Sequence, residues 1–307
     1  MRAWMLLAAY FFGCGASYGV LVYNGTEANR SAPADDPGWS AVGTISAPAG
    51  PATAVFLGNN AAAAWFLTAS HVSLAGATLS IGGNSYTVFS SASQISTADL
   101  MVFCVDSTLA GISPVTLSSS VPDINAQLTM LGNGKTGTKV TWDTANNPWT
   151  SPGSGAEGYV WTDPNVKQWG TNTVLARNLT LGTSTVLATA FDAADGEAQG
   201  SLGDSGGAVF NKNGTQWELA ALIVAVGRIE GGILYGANFA GQPGSTSVAD
   251  ITGLPNDKSV TYSVQIANYK SAILSAIPEP DPLALLLAFS PILVFVSAKR
   301  SAPRTRL

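Results

Sequence analysis

Between its two apolar ends, the chain consists of short runs of valine, isoleucine, threonine, leucine and aromatic residues. Clusters of glycine, asparagine, proline and serine separate these runs. Short apolar runs bounded by turn residues are typical of β-strands. We predict strands at seven of them: 54–57, 64–68, 79–88, 100–105, 126–131, 186–191 and 219–226. Many short strands joined by turns predict an all-β barrel or sandwich.

Three further segments organise this body. A stretch rich in serine, residues 117–122, divides it near the middle. Residues 262–276 carry apolar side chains at spacings that predict a closing helix. Residues 142–173 are rich in glycine and contain five tryptophan or tyrosine residues, which predicts a long loop. Its aromatic side chains either line a binding cleft or pin the loop to the body.

The N-terminus has the pattern of a secretory signal peptide. Arg2 precedes an apolar run at residues 4–14, and small residues follow it. Cleavage after Ala16 or after Gly19 would satisfy the preference for small residues at the cut. The apolar run is too short for a transmembrane helix, which needs about 20 residues. We therefore expect the chain to be exported.

The C-terminus has three parts in a fixed order. Ile-Pro-Glu-Pro at residues 277–280 is followed by a 16-residue apolar segment, residues 283–298, and then by a basic tail. An apolar helix followed by positive charge is a stop-transfer pattern, which predicts a single transmembrane helix that anchors the chain in the cytoplasmic membrane. An ordinary single-span anchor would have the same pattern.

This C-terminal order resembles a PEP-CTERM sorting signal of Gram-negative bacteria. The resemblance implies two processing enzymes, signal peptidase and exosortase. It also implies transient membrane anchoring by residues 283–298 before transfer to the cell surface or the extracellular matrix. Pro291, inside the apolar segment, departs modestly from the pattern.

Charge and cysteine content limit the partners and the cross-links. Only 11% of residues are charged, and residues 20–277 carry 17 acidic and 9 basic side chains, a net charge of −8. An acidic body without a basic run disfavours nucleic-acid binding. Once Cys14 is removed with the signal peptide, Cys104 is the one cysteine left, so no intramolecular disulfide can form. Cys104 lies in an apolar strand, where we expect it to be buried.

The chain contains a single histidine, His71. Zinc sites built on paired histidines are therefore excluded, and the sequence has neither a phosphate-binding Gly-Lys loop nor a dinucleotide glycine fingerprint. We expect no cofactor and no metal. Calcium binding by scattered loop acids stays open; these are Asp35, Asp36, Asp192 and Asp195.

Residues 203–207 read Gly-Asp-Ser-Gly-Gly, a segment whose small residues allow a sharp turn that presents the Ser205 hydroxyl. The nucleophile elbow of α/β-hydrolases is excluded because its histidine must follow the serine. The order that remains is histidine, acid, serine. Asp99 directly precedes an apolar strand and is the favoured acid, with Asp106 as its competitor. A subtilisin-like order would need an acid before His71.

Three blocks resemble the trypsin-like (chymotrypsin-fold) serine proteases. These are Thr-Ala-Ser-His at residues 68–71, Thr-Ala-Asp-Leu at 97–100 and the serine block, with Gly-Asn-Gly at 132–134 as a weaker match. The resemblance implies two six-stranded antiparallel β-barrels with a C-terminal helix and a catalytic cleft between the barrels. The implied divisions are a signal peptide (1–19), a first barrel (20–120), a second barrel with the closing helix (121–276) and a sorting segment (277–307).

The same resemblance implies a secreted serine endopeptidase that acts on protein or peptide substrates through an acyl-enzyme. Ser205 would be the nucleophile, His71 the general base and Asp99 the group that orients the imidazole. The backbone amides of Gly203 and Ser205 would form the oxyanion hole. Two alternatives stay open: a catalytically silent surface or matrix protein with the protease fold, and an esterase that uses the same triad.

Counting six residues back from Ser205 places Gln199 at the floor of the primary specificity pocket. Its wall would lie at Ala225, Val226 and Gly227. Gln199 is neutral, so the resemblance predicts no preference for lysine or arginine and favours an apolar or small substrate side chain.

Asp204 corresponds to the carboxylate that, in this family, pairs with a freed N-terminal amine. Residues 22–25 resemble the family's N-terminal block, with Val22 first. No lysine or arginine lies between residues 3 and 29, which excludes a tryptic activation cut there.

Overall fold

The structure, a computed structural model, describes residues 19–142, 152–192, 194–227, 236–238 and 259–278. In the N-terminal half the strands are β1 (Leu21–Val22), β2 (Val42–Ala47), β3 (Gly50–Asn59), β4 (Ala64–Thr68), β5 (Thr78–Ile81), β6 (Asn84–Gln94) and β7 (Met101–Val105).

In the C-terminal half the strands are β8 (Gln127–Gly132), β9 (Lys135–Trp142), β10 (Pro152–Asn165), β11 (Gln168–Thr173), β12 (Ala176–Leu181), β13 (Ser184–Phe191), β14 (Ala198–Gln199), β15 (Ala208–Asn213), β16 (Gln216–Gly227), β17 (Gly236–Asn238) and β18 (Ser259–Gln265). Among the described residues, the helices are three short 3-10 turns and one α-helix: Glu27–Arg30, Trp39–Ala41, Ile266–Asn268 and α1 (Lys270–Ser275).

The N-terminal half is a closed barrel of six antiparallel strands in the order β2-β3-β4-β7-β6-β5. Phe56, Phe66 and Phe103 fill its interior, with ring centroids 5.4 and 5.5 Å apart along the series. Strand β4 is buried at every position because β3 and β7 flank it and the barrel core lies beneath it. This buried strand ends at Thr68, three residues before His71, and therefore fixes the position of the turn that carries the histidine.

The C-terminal half is a seven-stranded sheet in the order β11-β8-β15-β16-β18-β13-β12, which forms a half-barrel. A three-stranded sheet of β17, β10 and β9 lies beside it, and β1 pairs with β14. The prediction of an all-β chain with two barrel-like halves and a C-terminal helix is confirmed. The second half differs from the expected six strands because the β12–β13 hairpin extends its edge.

The two halves meet along strand β2. The Asn133 side chain accepts a hydrogen bond from Thr44 Oγ1 at 2.7 Å and donates to the Gly43 carbonyl at 3.2 Å. Lys167, between β10 and β11, donates from Nζ to the Val42 carbonyl at 2.6 Å. Burial lowers the pKa of Lys167 to about 7. These polar contacts join the barrel to the sheet.

The run at 79–88, predicted as one strand, is a hairpin of two. Strand β5 ends at Ile81 and β6 begins at Asn84, and these two residues pair across the turn. The turn residues Gly82 and Gly83 have φ angles of +59° and +79°. A two-residue turn with positive φ at both positions suits the twist of a hairpin, and glycine adopts it without a steric penalty.

The closing helix is shorter than predicted. Residues 262–265 belong to β18, which is buried at all seven positions between β13 and β16. The 3-10 turn Ile266–Asn268 follows, and α1 begins at Lys270. Apolar residues at 262, 264 and 266 suit a strand as well as a helix, and pairing on both edges decides in favour of the strand.

The long loop predicted at 142–173 is largely strand. Its described part includes β10, which pairs with β9, and β11, which pairs with β8; residues 143–151 lie outside the described residues. Tyr159 on β10 is 5% exposed and packs edge-to-face against Tyr23, with ring centroids 5.9 Å apart. At this position the aromatic side chain packs against the body.

The predicted anchoring in the cytoplasmic membrane by a C-terminal helix is wrong. Within the described ranges, no helix has the length and apolar character needed to cross a bilayer, and α1 is six residues long. Residues 283–298 lie outside these ranges. Their sequence indicates why the prediction was weak: 16 residues rise about 24 Å in an α-helix, whereas the hydrocarbon core is about 30 Å thick.

Cys104 lies in β7 as a free thiol, buried as expected. Burial raises the pKa of this thiol, so the reactive thiolate form is disfavoured.

Candidate active site

His71 projects from the turn that follows β4. The residue before this turn, Thr68, is fully buried, and its hydroxyl donates to the Thr53 carbonyl at 2.8 Å. The Val72 N–H closes the turn on the Ala69 carbonyl at 3.1 Å. The His71 side chain is 48% exposed, so a buried strand holds it at the edge of the barrel while its ring stays accessible.

Asp99 precedes β7 and holds the His71 ring. Its Oδ2 lies 2.7 Å from His71 Nδ1, and its Oδ1 accepts from the His71 N–H at 3.0 Å and from Ser70 Oγ at 2.8 Å. The Asp99 N–H donates to Ser184 Oγ at 2.8 Å, a contact with the C-terminal half. Burial acts to raise the pKa of Asp99, but hydrogen bonds from His71 and Ser70 and the charge of His71 outweigh it and hold that pKa below its usual value.

Ser205 lies in the C-terminal half and is the third residue of the hydrogen-bonded group formed with Asp99 and His71. Its Oγ lies 2.8 Å from His71 Nε2. With an ionised Asp99 beside Nδ1, the imidazole keeps its proton on Nδ1, and Nε2 is left as an acceptor for the Ser205 hydroxyl. The structure thus brings together the three residues that the sequence singled out. Asp106, the competing acid, forms no hydrogen bond to His71.

Two glycines allow the sharp turn around Ser205. Gly203 and Gly206 have φ angles of +101° and +85°. A Cβ atom on Gly206 would lie 2.1 Å from the Thr53 carbonyl oxygen and 2.4 Å from Thr68 Oγ1. No side chain fits there without displacing β3 or β4, which explains why this position needs glycine.

Thr53 of β3 ties the serine turn to the barrel. Its N–H donates to the Ser205 carbonyl at 2.8 Å, and its Oγ1 donates to the Gly203 carbonyl at 3.1 Å. Within the described part of the chain, the N–H groups of Gly203 and Ser205 donate to no protein acceptor. Two unpaired backbone donors beside a serine hydroxyl are what a developing oxyanion requires.

Asp204 points away from the cleft and is completely buried. Its carboxylate accepts from the Gly134 N–H at 2.7 Å, the Ser201 N–H at 2.7 Å and Ser201 Oγ at 2.9 Å. Burial outweighs these hydrogen bonds and raises the pKa of Asp204 to about 7. No lysine, arginine or histidine among the described residues pairs with it.

The residues expected around a specificity pocket lie on two strands, β14 and β16. Gln199 on β14 is fully buried, and neither its Oε1 nor its Nε2 has a hydrogen-bond partner among the described residues. The next residue, Gly200, faces β16, since a Cβ atom there would lie 3.0 Å from Val226 Cγ1. Ala225 and Val226 are half-buried, and Gly227 ends β16.

Three contacts at this site had no signal in the sequence: the Thr53 bridge, the Ser184 hydroxyl below Asp99, and Thr261 Oγ1, which accepts from the Gly200 N–H at 2.9 Å. Ser70, by contrast, did have a signal in the sequence, because it lies inside the Thr-Ala-Ser-His block. Each of the other three comes from a strand distant in sequence.

The loop acids considered for calcium are engaged elsewhere. Asp35 pairs with Lys212 at 2.5 Å, and Asp195 accepts from the Asn24 side chain at 2.6 Å. Over the described ranges, no group of three or more histidine, cysteine, aspartate or glutamate side chains forms a cluster that could hold a metal ion.

Comparison with solved structures identifies the fold. Neuropsin, a serine protease expressed in the limbic system of mouse brain, superposes with a TM-score of 0.50 at 15% sequence identity, over 84% of this chain and 100% of that chain. The fold is that of the chymotrypsin-like serine proteases.

Two bacterial structures match at lower scores. A serine endoprotease of Yersinia pestis has a TM-score of 0.45 at 14% identity, over 78% of this chain and 64% of that chain. The Rv3671c protein of M. tuberculosis has a TM-score of 0.44 at 13% identity, over 84% of this chain and 98% of that chain. No protein-family model matches the sequence, and no curated protein matches it.

Proposed function

We propose that this chain is a serine endopeptidase of the trypsin-like type that cleaves peptide bonds through an acyl-enzyme. The observation that carries the proposal is the continuous series from the Asp99 carboxylate through the His71 ring to the Ser205 hydroxyl, with contacts of 2.7 and 2.8 Å. Two free backbone N–H groups lie beside the same hydroxyl. The shared fold supports hydrolysis of protein or peptide substrates.

In the acylation step, Ser205 Oγ attacks the scissile carbonyl carbon while His71 Nε2 takes its proton. The carbonyl oxygen becomes an oxyanion, which the N–H groups of Gly203 and Ser205 stabilise; each such donor contributes about 3 kcal/mol to lowering the barrier. His71 then donates its proton to the leaving amine, and the C–N bond breaks. Asp99 stabilises the imidazolium that forms between these two transfers.

Deacylation repeats the sequence with water as the nucleophile. His71 Nε2 takes a proton from water as its oxygen attacks the acyl carbon, and the proton returns to Ser205 Oγ as the ester bond breaks. The products are a carboxylic acid and free Ser205. The half-exposed His71 ring leaves water a path to the acyl group.

The targeting segments stay predictions. We propose that residues 1–19 are a signal peptide that is removed by signal peptidase. Residues 277–307 resemble a PEP-CTERM segment that an exosortase would process. All but residues 19, 277 and 278 of these two segments lie outside the described ranges.

A fluorophosphonate probe tests the proposed activity on the chain of residues 20–307. Labelling is expected in the native protein and absent from Ser205→Ala, because the probe reacts with an activated serine oxygen. Ser93→Ala, which removes an exposed hydroxyl on β6, should label normally. A folded preparation that takes no label would favour the silent protease-fold alternative. Labelling with turnover of ester but not of peptide substrates would favour the esterase.

The substrate side chain is expected to be uncharged. Gln199 offers a donor and an acceptor without partners, and a lysine or arginine side chain beside it would lose hydration without gaining an opposite charge. We expect kcat/KM for a glutamine substrate to exceed that for its lysine counterpart about 100-fold, since an uncompensated charge costs roughly 3 kcal/mol.

Peptides that differ only at the residue before the scissile bond measure this preference. Gln199→Asp should shift it toward lysine and arginine, and Gln216→Asp, on an exposed hairpin, should leave it unchanged. A native enzyme that cleaves lysine substrates best would disprove the assignment of Gln199.

A further inference from the structure

The tip of the β12–β13 hairpin reaches from the C-terminal half to the segment that carries Asp99. The two strands are joined by Gly182 and Thr183, and a φ angle of +57° at Gly182 allows the tight turn. The Thr183 hydroxyl donates to the Thr97 carbonyl. The Asp99 N–H donates to Ser184 Oγ at 2.8 Å. Two hydrogen bonds to one hairpin therefore hold the acid segment.

This acid segment contains a strained turn. Residues 95–98 form it, and the Ala98 N–H closes it on the Ile95 carbonyl at 3.1 Å. Ser96 lies in the left-handed region with a φ angle of +52°, a conformation that a residue with a side chain keeps only where its surroundings enforce it. The backbone directly before Asp99 thus depends on contacts from other elements, and the hairpin tip supplies two of them.

The body of the C-terminal half holds Ser184 firmly. This serine is 3% exposed. The N–H of the next residue, Thr185, donates to Tyr269 Oη at 2.9 Å, and Gln265 Nε2 donates to the Val186 carbonyl at 3.1 Å. Strand β13 also pairs with β18 along most of its length. The Ser184 hydroxyl is therefore a fixed point relative to the sheet.

The position of the Asp99 backbone depends on this hydroxyl. Across the described ranges, the Asp99 N–H donates to Ser184 Oγ and to no other atom. A partly buried N–H that loses its acceptor must turn toward another partner or toward water. Because the carboxylate belongs to the same residue, such a turn displaces Oδ2 from His71 Nδ1, which lies 2.7 Å away.

We propose that Ser184 is a positioning residue of the triad, which acts through Asp99 and not on the substrate. Its hydroxyl fixes the Asp99 backbone, and this keeps Oδ2 on the His71 ring. The inference rests on the proposed function and names a further residue of the same site. It also means that the C-terminal half contributes to both ends of the triad, because it supplies Ser205 and holds Asp99 in place.

Ser184→Ala tests the role of the hydroxyl in the chain of residues 20–307. We expect kcat for a peptide substrate to fall about tenfold, which corresponds to the loss of one hydrogen bond, and KM to change by less than about twofold. The effect falls on kcat because Ser184 is buried and has no surface for a substrate. Fluorophosphonate labelling at Ser205 should slow by a similar factor.

Two matched variants separate the hydroxyl from the rest of the hairpin. Ser184→Thr keeps a hydroxyl at the same position and should restore most of kcat. Thr180→Ala removes an exposed hydroxyl from β12 of the same hairpin and should leave kcat unchanged. The thermal unfolding midpoints of all variants show whether a loss of activity follows a loss of stability.

A proton NMR spectrum supplies a readout that needs no turnover. The proton between His71 Nδ1 and Asp99 Oδ2 lies in a short charge-assisted hydrogen bond, which moves its resonance far downfield. His71 is the single histidine of the chain, so this imidazole resonance has one assignment. Ser184→Ala should move the resonance upfield and broaden it through exchange with water, whereas Ser184→Thr and Thr180→Ala should keep it.

Thr183→Ala keeps the test decisive if Ser184→Ala does not fold. Thr183 is exposed, and its replacement removes the hydrogen bond to the Thr97 carbonyl while the Ser184 hydroxyl stays in place. We expect a smaller upfield movement of the same resonance and a loss in kcat of about threefold. With Ser184→Ala unfolded, an unchanged resonance in Thr183→Ala would overturn the proposal.

The other outcomes separate this inference from the proposed function. A folded Ser184→Ala chain that keeps either the native resonance or the native kcat would overturn the positioning role, and so would an equal loss in Ser184→Thr. A native chain might instead take no fluorophosphonate label and still show a downfield resonance that depends on Ser184. That result would overturn the proposed function and leave the positioning of Asp99 standing.

Discussion

Replacing His71 with alanine is expected to lower kcat for peptide hydrolysis about a millionfold, the scale seen when a triad loses its base. His71 Nε2 is the group within 2.8 Å of Ser205 Oγ, and no second histidine exists in the chain to replace it. Without it, the hydroxyl must lose its proton to water during attack. Steady-state kinetics on one peptide substrate, with residual activity followed over hours, would measure the loss.

The stability of the same variant serves as its control. The His71 ring is half-exposed, so its removal should leave the thermal unfolding midpoint nearly unchanged. His71→Ala combined with Ser205→Ala should be no worse than either single change, because the residues act as a unit. A loss below about 100-fold would show that a different group takes the serine proton.

Asp99→Asn is expected to lower kcat about 10,000-fold with little change in fold. The asparagine amide can still accept from Ser70 and from the His71 N–H, but an NH₂ group next to Nδ1 favours the ring tautomer with its proton on Nε2. That tautomer cannot accept the proton of Ser205. The loss of activity therefore comes from a proton on the wrong ring nitrogen of His71 and not from a missing contact.

Asp106→Asn is the matched variant for this test. Asp106 follows β7 and is exposed, and it is the acid that competes with Asp99 in the sequence. It should retain full activity. If Asp106→Asn were the inactive variant and Asp99→Asn the active one, the assignment of the acid would have to be reversed. Rates for both variants at several pH values would distinguish a tautomer effect from unfolding.

The candidate site is readable from the sequence because its three residues lie in short local blocks. Glycine at positions 203 and 206 indicates backbone with positive φ angles, and the small residues around His71 indicate a turn after a buried strand. These signals depend on neighbours within a few positions.

Features that depend on distant strands were not readable. Thr53 looks like any threonine in a β-strand, yet its backbone and hydroxyl hold the serine turn. The run that begins at Tyr262 has apolar spacing that fits helix and strand alike, and β13 and β16 decide its conformation.

Thr53 joins two halves whose strands are hydrogen-bonded separately, and one half supplies the nucleophile while the other supplies its base. Thr53 lies in the closed barrel and His71 in the turn after β4, while Ser205 lies in the turn that precedes β15 of the sheet. Separation of these halves by an ångström or two would break the 2.8 Å contact between Ser205 and His71 while both halves kept their own strands paired. A compound or antibody that bound between the halves would be expected to abolish the proposed activity without entering the cleft, and inhibitors of this kind need not resemble a substrate.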